Sequence, residues 1–508
     1  MPEFGQVQIL SKFPLREGIV SSILPISETG MYDILNFAVE IDGLESCHGW
    51  EIGEGITSDF YSTFHGVDTF SDGNNRFWMF VWNSMKQYAF SPYSHRWFDI
   101  TIPDATLGIL EVPQAAPMGG KLYVVDKNTG LWSYSWIEGS LLSEVNRNVK
   151  AQTLMYIGYR LLAGNLVLWD TEVPNAIRWS NLGDPLTWDD LAYMELPDNE
   201  RILRMLPLSH GNNVGAIYTQ NSIYIVSYTG NDVTPFAIQK IASSVFIHNP
   251  RAVAVVSSNE FYGHAYASPQ GAFLFTGNEA ILISETIRPL WREFFDNATK
   301  IEVFYNPVRE EIYFADYGQK LALVYQLRFR SWYKRSWNLV GIGLVSEKNA
   351  PYKPLLRGVK EFMNYRNFTV MYPQGYRDYD SEFYGYIETP VMILGSNIVG
   401  QITKLLLWIF SRGTFAEISG TVKITFATSN NFFAIASQNY LQYQDVVKTT
   451  VIQAPISQLL RRTFLTTDEI NLDISGKYFR MKIEVFGLSE MLNISGFSVV
   501  WQPIQYVR

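Results

Sequence analysis

One recurring unit constrains this chain more than anything else: a short apolar run, a turn, then a second run rich in Tyr, Val or Ile, with Trp or Phe close by. Residues 77–82 (FWMFVW) lead to 87–90 (QYAF) and Trp97, and 121–125 (KLYVV) turn at Lys127-Asn128-Thr129-Gly130 into 131–135 (LWSYS). Residues 160–164 lead to 166–169, and 216–218 turn at Gln220-Asn221 into 223–226. Residues 272–275 turn through Gly277 into 280–283, and 311–314 run through Gly318 to 323–327 and Trp332. Turn residues between apolar runs are the hairpin signal. The unit returns about six times at intervals of roughly 40–55 residues, the period of propeller blades. The expected fold is all-β, a degenerate β-propeller of about six blades, with a large irregular β-sandwich as the competing architecture. Gly119-Gly120 before Lys121 looks kelch-like once and reads as a turn.

From about residue 345 the pattern changes. Residues 349–386 are dense in Tyr, including Tyr365, Tyr372, Tyr376, Tyr379, Tyr384 and Tyr386, and read as a loop. Beyond them Val422, Ile424 and Phe426 alternate with Thr421, Lys423 and Thr425, while Phe479, Met481, Ile483 and Val485 alternate with Arg480, Lys482 and Glu484. Strict period-two alternation predicts strands with one buried and one wet face, as in an antiparallel sandwich. Residues 455–462 are expected to hold one short helix. The expected organisation is an N-terminal extension joining the propeller at 1–60, the propeller at 61–345, a Tyr-rich connecting loop at 346–384 and a C-terminal β-sandwich at 385–508.

At 508 residues the chain exceeds what one core usually supports, so more than one domain is expected. Hydrophobic residues at 47% against 18% charged exclude a disordered chain. Aromatics reach 15%, and such residues favour both strands and subunit interfaces; Tyr372, Tyr376, Tyr379, Tyr384 and Tyr386 are the interface candidates. The net charge of −9 argues against gripping nucleic acid by its phosphates, and suits a wall past which DNA slides. A single cysteine, Cys47, rules out an intrachain disulfide framework and a multi-cysteine metal site. No signal peptide is visible at Met1–Gly5, and the longest apolar run, 405–410, is too short to cross a bilayer, so no membrane insertion is expected.

Catalytic spacing is missing. The six histidines (His48, His65, His95, His210, His248 and His264) show no local metal pairing, and there is no zinc-protease helix motif, nucleophile elbow or phosphate loop. Residues 71–75 (SDGNN) echo a sialidase-type aspartate turn only once and read as a hairpin loop. Asp378, Asp380 and Glu382 alternate as calcium ligands do, without the flanking spacing of a calcium loop, and read as a solvated acidic turn. Arg328, Arg330, Lys334 and Arg335, interleaved with Phe329, Trp332 and Tyr333, read as an amphipathic outer strand with a solvated face. No catalytic residue, metal or cofactor is expected, although an acid pair for glycoside hydrolysis converges in space rather than in sequence.

Residues 175–189 carry the most specific signal. They read as a strand ending at Ser180, a Gly183-Asp184-Pro185 turn, and Trp188 clamping the next strand. Asn175, Arg178, Trp179, Ser180, Gly183, Asp184, Pro185 and Trp188 together resemble a stretch found in tail proteins of short-tailed phages, the nozzle and packaged-DNA stabilisation proteins. Ala176-Ile177 stands where that group more often has Arg directly after Asn. Gly43-Leu44 with Gly49-Trp50 resembles a second element, with Cys47-His48 replacing its usual Arg-Pro. Tyr305-Asn306-Pro307 through Tyr313, Tyr325 and Trp332 resembles their last blade, and Ile387-Glu388-Thr389-Pro390 the opening of their C-terminal domain. The resemblance implies a virion protein made in the host cytoplasm, a tail nozzle or hub subunit forming a homo-oligomeric ring, a hexamer. It implies contacts with adaptor and portal-side proteins, tail fibres or spikes, and DNA passing through the channel without sequence-specific binding. The alternatives are a propeller that binds glycan or peptide and, behind it, a glycoside hydrolase.

Overall fold

Aromatic and aliphatic runs become strands buried on both faces, and these strands stack into radial blades. A computed structural model describes residues 9–506 except 16, 21–30, 42, 49–50, 56–63, 103–112, 209–212, 244–246, 363–366, 373–376, 379–380, 394–397, 411–418 and 457–465. Six consecutive four-stranded antiparallel meanders span residues 64–99, 114–146, 150–195, 202–243, 253–282 and 301–336. A seventh combines Gly341–Glu347, Ala350–Phe362 and Asn367–Tyr372 with Glu51–Gly55 as its outermost strand. The first strand of each meander lies innermost and the seventh blade packs on the first, which closes a seven-bladed β-propeller.

The aromatic excess fills the wedges between blades. Trp78, Phe80 and Trp82 of the first blade share one core with Leu122, Val124, Trp132 and Tyr134 of the second. Because neighbouring blades cover both faces, 77–82 needs no polar alternation, and Trp78 and Trp82 are fully buried. Burying such rings contributes roughly 1.5–3 kcal/mol each relative to exposure.

The second domain grows out of the sixth blade. Its outer strand, Ser331–Ser336, pairs in parallel with Asp33–Leu35, which pairs antiparallel with Tyr384–Glu388. Tyr478–Phe486, Thr421–Ser429 and Val447–Pro455 follow, so one ten-stranded sheet runs through both domains. The facing sheet orders Phe37–Glu40, Gly43–Ser46, Asn493–Tyr506, Ile398–Phe410 and Thr466–Gly476, with Ile9–Pro14 beside Asn493–Tyr506. Val422, Ile424 and Phe426 and the alternate residues Phe479–Val485 point inward as the alternation predicts, into a core shared with Leu405, Phe497 and Val499.

Four expectations are corrected. The connecting loop at 346–384 is largely the seventh blade; Pro351 and Pro354 mask its long strand, and the blade's outermost strand, beside Asn367–Tyr372, comes from residues 51–55. The extension at 1–60 divides its work, since only Glu51–Gly55 joins the propeller while 9–46 builds the sandwich and the joint. Two of the six sequence units are placed differently: 160–169 is mostly the single bulged strand Arg160–Leu168, and 272–283 spans the third and fourth strands of its blade. The supposedly wet faces of Ser331–Ser336 and Tyr478–Phe486 are covered. Arg335 and Arg480 are buried, Arg480 pairs with Glu388 at 2.9 Å, and its guanidinium lies 4.3 Å from the Tyr32 ring and 4.6 Å from the Tyr440 ring. Lys334 pairs with Asp33. The residues expected to form a helix at 455–462 lie mostly outside the described residues.

Asn36 is the hinge pin of the joint. Its backbone sits in the left-handed region at φ 59°. Its amide nitrogen donates to Ser336 Oγ (2.9 Å) and the Tyr384 carbonyl (2.8 Å), while its amide oxygen accepts from the Ser336 N–H (2.9 Å). Asn36→Ala is expected to cost roughly 2–4 kcal/mol, since it leaves half-buried backbone groups unpaired and adds left-handed strain. Chemical denaturation measures this, and a loss below about 1 kcal/mol would mean the joint does not couple the domains.

Candidate functional site

The seven inner strands enclose an axial cavity of about 610 Å³. That is the size of a small-ligand pocket rather than of a passage for duplex DNA. Its rim is formed by first-hairpin turns, Asp72-Gly73 and Gly119-Gly120-Lys121, and its walls include Leu154, Met205, Val253 and Phe304. Near its floor Arg251 reaches across the axis from the start of the fifth blade to Asp68 of the first, at 3.2 Å, and also pairs with Glu302 at 3.3 Å. Its Nη2 donates to the Val67 carbonyl. Gly66 makes room for this guanidinium, because a Cβ there would stand 2.6 Å from it.

The acids that line the cavity, Asp68 and Asp72, are engaged, as is Glu302 beside Arg251. Asp68 also accepts from Trp82 Nε1 (2.8 Å), and Glu302 from Lys300 (2.8 Å). Asp72 accepts from the backbone of Asn74 and Arg76, Trp78 Nε1 and the Tyr93 hydroxyl, so the 71–75 segment is a capped hairpin loop. Arg204 lies beside Arg251, and burial brings its guanidinium down to about 10. None of Asp68, Arg204, Arg251 and Glu302 stood out in the sequence. The one available signal was the placing of single charges near the starts of inner strands, which is visible only once the blades are known.

Asn175, Arg178 and Trp179 lie on the strand Thr171–Trp179, the third of blade three. Arg178 is buried and ties down the loop that follows: it donates to the carbonyls of Asp189 and Trp188 (both 3.2 Å) and to Asp190 Oδ1 (2.8 Å). Ser180 Oγ accepts from the Leu161 N–H (3.0 Å). Gly183 takes φ +70°, where a side chain would be strained, and its N–H donates to the Tyr159 carbonyl. Asp184 caps the Leu186 N–H, and Trp188 Nε1 donates to the Pro185 carbonyl. The segment is thus a self-bonded knot whose tip exposes Leu182 and Leu186. Trp179 packs edge-on against Phe236 of the fourth blade, ring centroids 5.5 Å apart.

Of the tyrosines singled out as interface candidates, Tyr384 and Tyr386 are engaged within the chain: Tyr384 donates to Glu484 (2.9 Å) and Tyr386 to Asp33 (2.7 Å). Tyr376 and Tyr379 lie outside the described residues, as does the side chain of Tyr372. Asp378 and Glu382 sit on a two-rung hairpin, and Asp380 lies outside the description. Among the described residues no three His, Cys, Asp or Glu side chains gather as a metal site. Cys47 is buried, which pushes its thiol up to about 11. His264 is fully buried, its Nδ1 2.8 Å from the Tyr218 hydroxyl and its Nε2 2.9 Å from the Pro207 carbonyl; burial brings it down to about 4.

The architecture defines the class: a seven-bladed β-propeller continuous with a β-sandwich. No protein-family model matches the chain, and no curated protein does. Among solved structures it is similar to Raptor from Chaetomium thermophilum, with 9% identity and a TM-score of 0.38 over 64% of this chain; the match spans 29% of Raptor's length. It is also similar to a catalytically inactive virginiamycin B lyase from Staphylococcus aureus, solved with quinupristin, with 8% identity and a TM-score of 0.40 over 64% of this chain and 99% of that one. Likenesses this distant carry no argument about activity.

Trp179→Ala is expected to destabilise the fold by roughly 3–5 kcal/mol, because it empties the wedge between blades three and four. A loss below about 1 kcal/mol in urea denaturation would show that the ring is not an anchor. His264 gives a pH signature. With its folded pKa below the ordinary value of 6.5, the site contributes its full stability above that value and loses it as pH falls toward about 4. The stability difference between wild type and His264→Gln should therefore shrink by about 3 kcal/mol from about pH 7 to about pH 4. A constant difference would refute the assignment.

Proposed function

We propose that this chain is a structural virion protein, a tail nozzle or hub subunit of a short-tailed phage. In this reading it forms a homo-oligomeric ring, extends the DNA channel, retains packaged DNA and anchors fibres or spikes. The observation that carries the reading is the Asn175–Trp188 knot: the residues that resemble the tail-protein segment bond to one another and present Leu182 and Leu186 outward. Further exposed apolar residues, Ile137 and Leu141 of blade two and Val233 of blade four, occupy the equivalent third-to-fourth-strand turns of neighbouring blades. Such a row suits subunit contacts.

Two further features support the reading. The ten-stranded sheet gives the two domains a shared backbone ladder, as a subunit under mechanical tension needs. The Arg251–Asp68 pair crosses the propeller's own axis, so in this reading the DNA channel lies between subunits rather than through one propeller. The engagement of Asp68, Asp72 and Glu302 by cations and donors favours a non-catalytic role over glycoside hydrolysis.

Negative-stain microscopy of the full chain mixed with the portal and adaptor proteins of the same genome tests the proposal. Closed rings with an axial opening wider than duplex DNA are expected. Particles that stay single in that mixture would sink it.

A further inference from the structure

The axial cavity holds a charge that the chain does not answer. Arg204 lies on the fourth blade's inner strand, Ile202–Pro207, and its half-buried side chain lines the cavity. Its Nη1 donates to the Pro250 carbonyl (2.8 Å), while its Nε is enclosed without an acceptor. Nη2 has no partner and is not enclosed, so this end of the guanidinium faces the open cavity. Among the described residues no carboxylate forms an ion pair with Arg204. Asp68 attracts it and Arg251 repels it.

The carboxylates close by are already taken. Asp68 is held by Arg251 and Trp82, and Glu302 by Arg251 and Lys300. Two carboxylates thus face three cations, and one positive charge is left over. An uncompensated cation in a water-poor site is costly, and an anion that binds there relieves the cost. The surrounding hydrogen bonds are short of acceptors as well. Gln114, on the second blade's inner strand, lines the same cavity and is 8% exposed. The Thr153 hydroxyl accepts from the Met205 N–H (3.0 Å) and donates to Gln114 Oε1 (2.6 Å), which leaves Gln114 Nε2 without an acceptor.

The walls and the mouth decide what kind of anion fits. Leu154, Val253, Val303, Phe304 and Ile342 line the cavity, and its volume of about 610 Å³ is that of a small-ligand pocket. At the rim Gly73, Gly119 and Gly120 leave open space. A single leftover charge suits a monoanion, and a mostly apolar wall suits a hydrocarbon body rather than a phosphate or a nucleotide. A guanidinium recognises a planar carboxylate through directed N–H donors. We propose that the axial cavity binds a small monocarboxylate with an apolar body, its carboxylate on the Arg204 guanidinium and its body along the apolar wall. The site needs only the single chain and is independent of the assembly reading.

The test is isothermal titration calorimetry of the full chain with octanoate, and with octanamide as the uncharged control. Octanoate should bind at least about tenfold tighter than octanamide. In Arg204→Gln the two should bind within about twofold of each other. Pro117→Trp, exposed at the cavity's rim, should weaken octanoate about tenfold or more by filling the mouth. Thermal unfolding shows whether Arg204→Gln folds; where it does not, Pro117→Trp decides. No binding of octanoate, equal binding of octanoate and octanamide by the wild type, or a charge preference that survives in folded Arg204→Gln would overturn the proposal. So would unchanged binding by folded Pro117→Trp, which would place the ligand elsewhere. Displacement of octanoate by inorganic phosphate at lower concentrations than octanoate itself would also overturn it, by marking a site for inorganic anions.

Discussion

Backbone hydrogen bonds made by the segment before residue 56 to strands far along the chain hold both domains in place. Glu51–Gly55 completes the seventh blade, Asp33–Leu35 bridges the sixth blade to the sandwich, and Gly43–Ser46 pairs with Asn493–Tyr506. Each pairing closes a loop of several hundred residues, and such closures carry a large entropic cost and form slowly. A propeller whose first and last blades were not clasped would expose two apolar blade faces to water. The clasp is therefore what makes the ring a closed object.

Within that frame, aromatic packing and buried ion pairs divide the work. Rings of the Trp78, Trp132 and Tyr134 kind fill the spaces between diverging blades, which explains the aromatic excess without appeal to subunit contacts alone. Two buried arginines are tied to opposite charges or rings: Arg251 between Asp68 and Glu302, and Arg480 against Glu388 between Tyr32 and Tyr440. Pairs of this kind add little net stability over apolar packing, but removing one partner strands a buried charge.

The local hairpins were legible because a blade's middle strands are adjacent in sequence. The FWMFVW and KLYVV runs and the QYAF and LWSYS runs that follow them became second and third strands of the first two blades. The seventh blade was not legible, since Ala350–Phe362 carries two prolines and the blade's outermost strand, which pairs with Asn367–Tyr372, lies far away at residues 51–55. The Asn175–Trp188 segment was legible as a strand, a turn and a clamping tryptophan. What could not be read was that Arg178 turns inward to bind the loop's carbonyls, because a charged residue in an apolar run gives no sign of its partner.

An all-β chain of repeated hairpins, followed by a sandwich with alternating strands, follows from the order of residues alone. Period and turn chemistry are local properties, written within a dozen residues. Seven blades, an N-terminal segment that serves both domains, and Arg251 barring the axis emerge from long-range pairing in the folded chain. The covering of the face that carries Arg335 and Arg480 emerges there too. Those outcomes depend on which distant strands pair and on what lies over a face, and no window of sequence contains both partners.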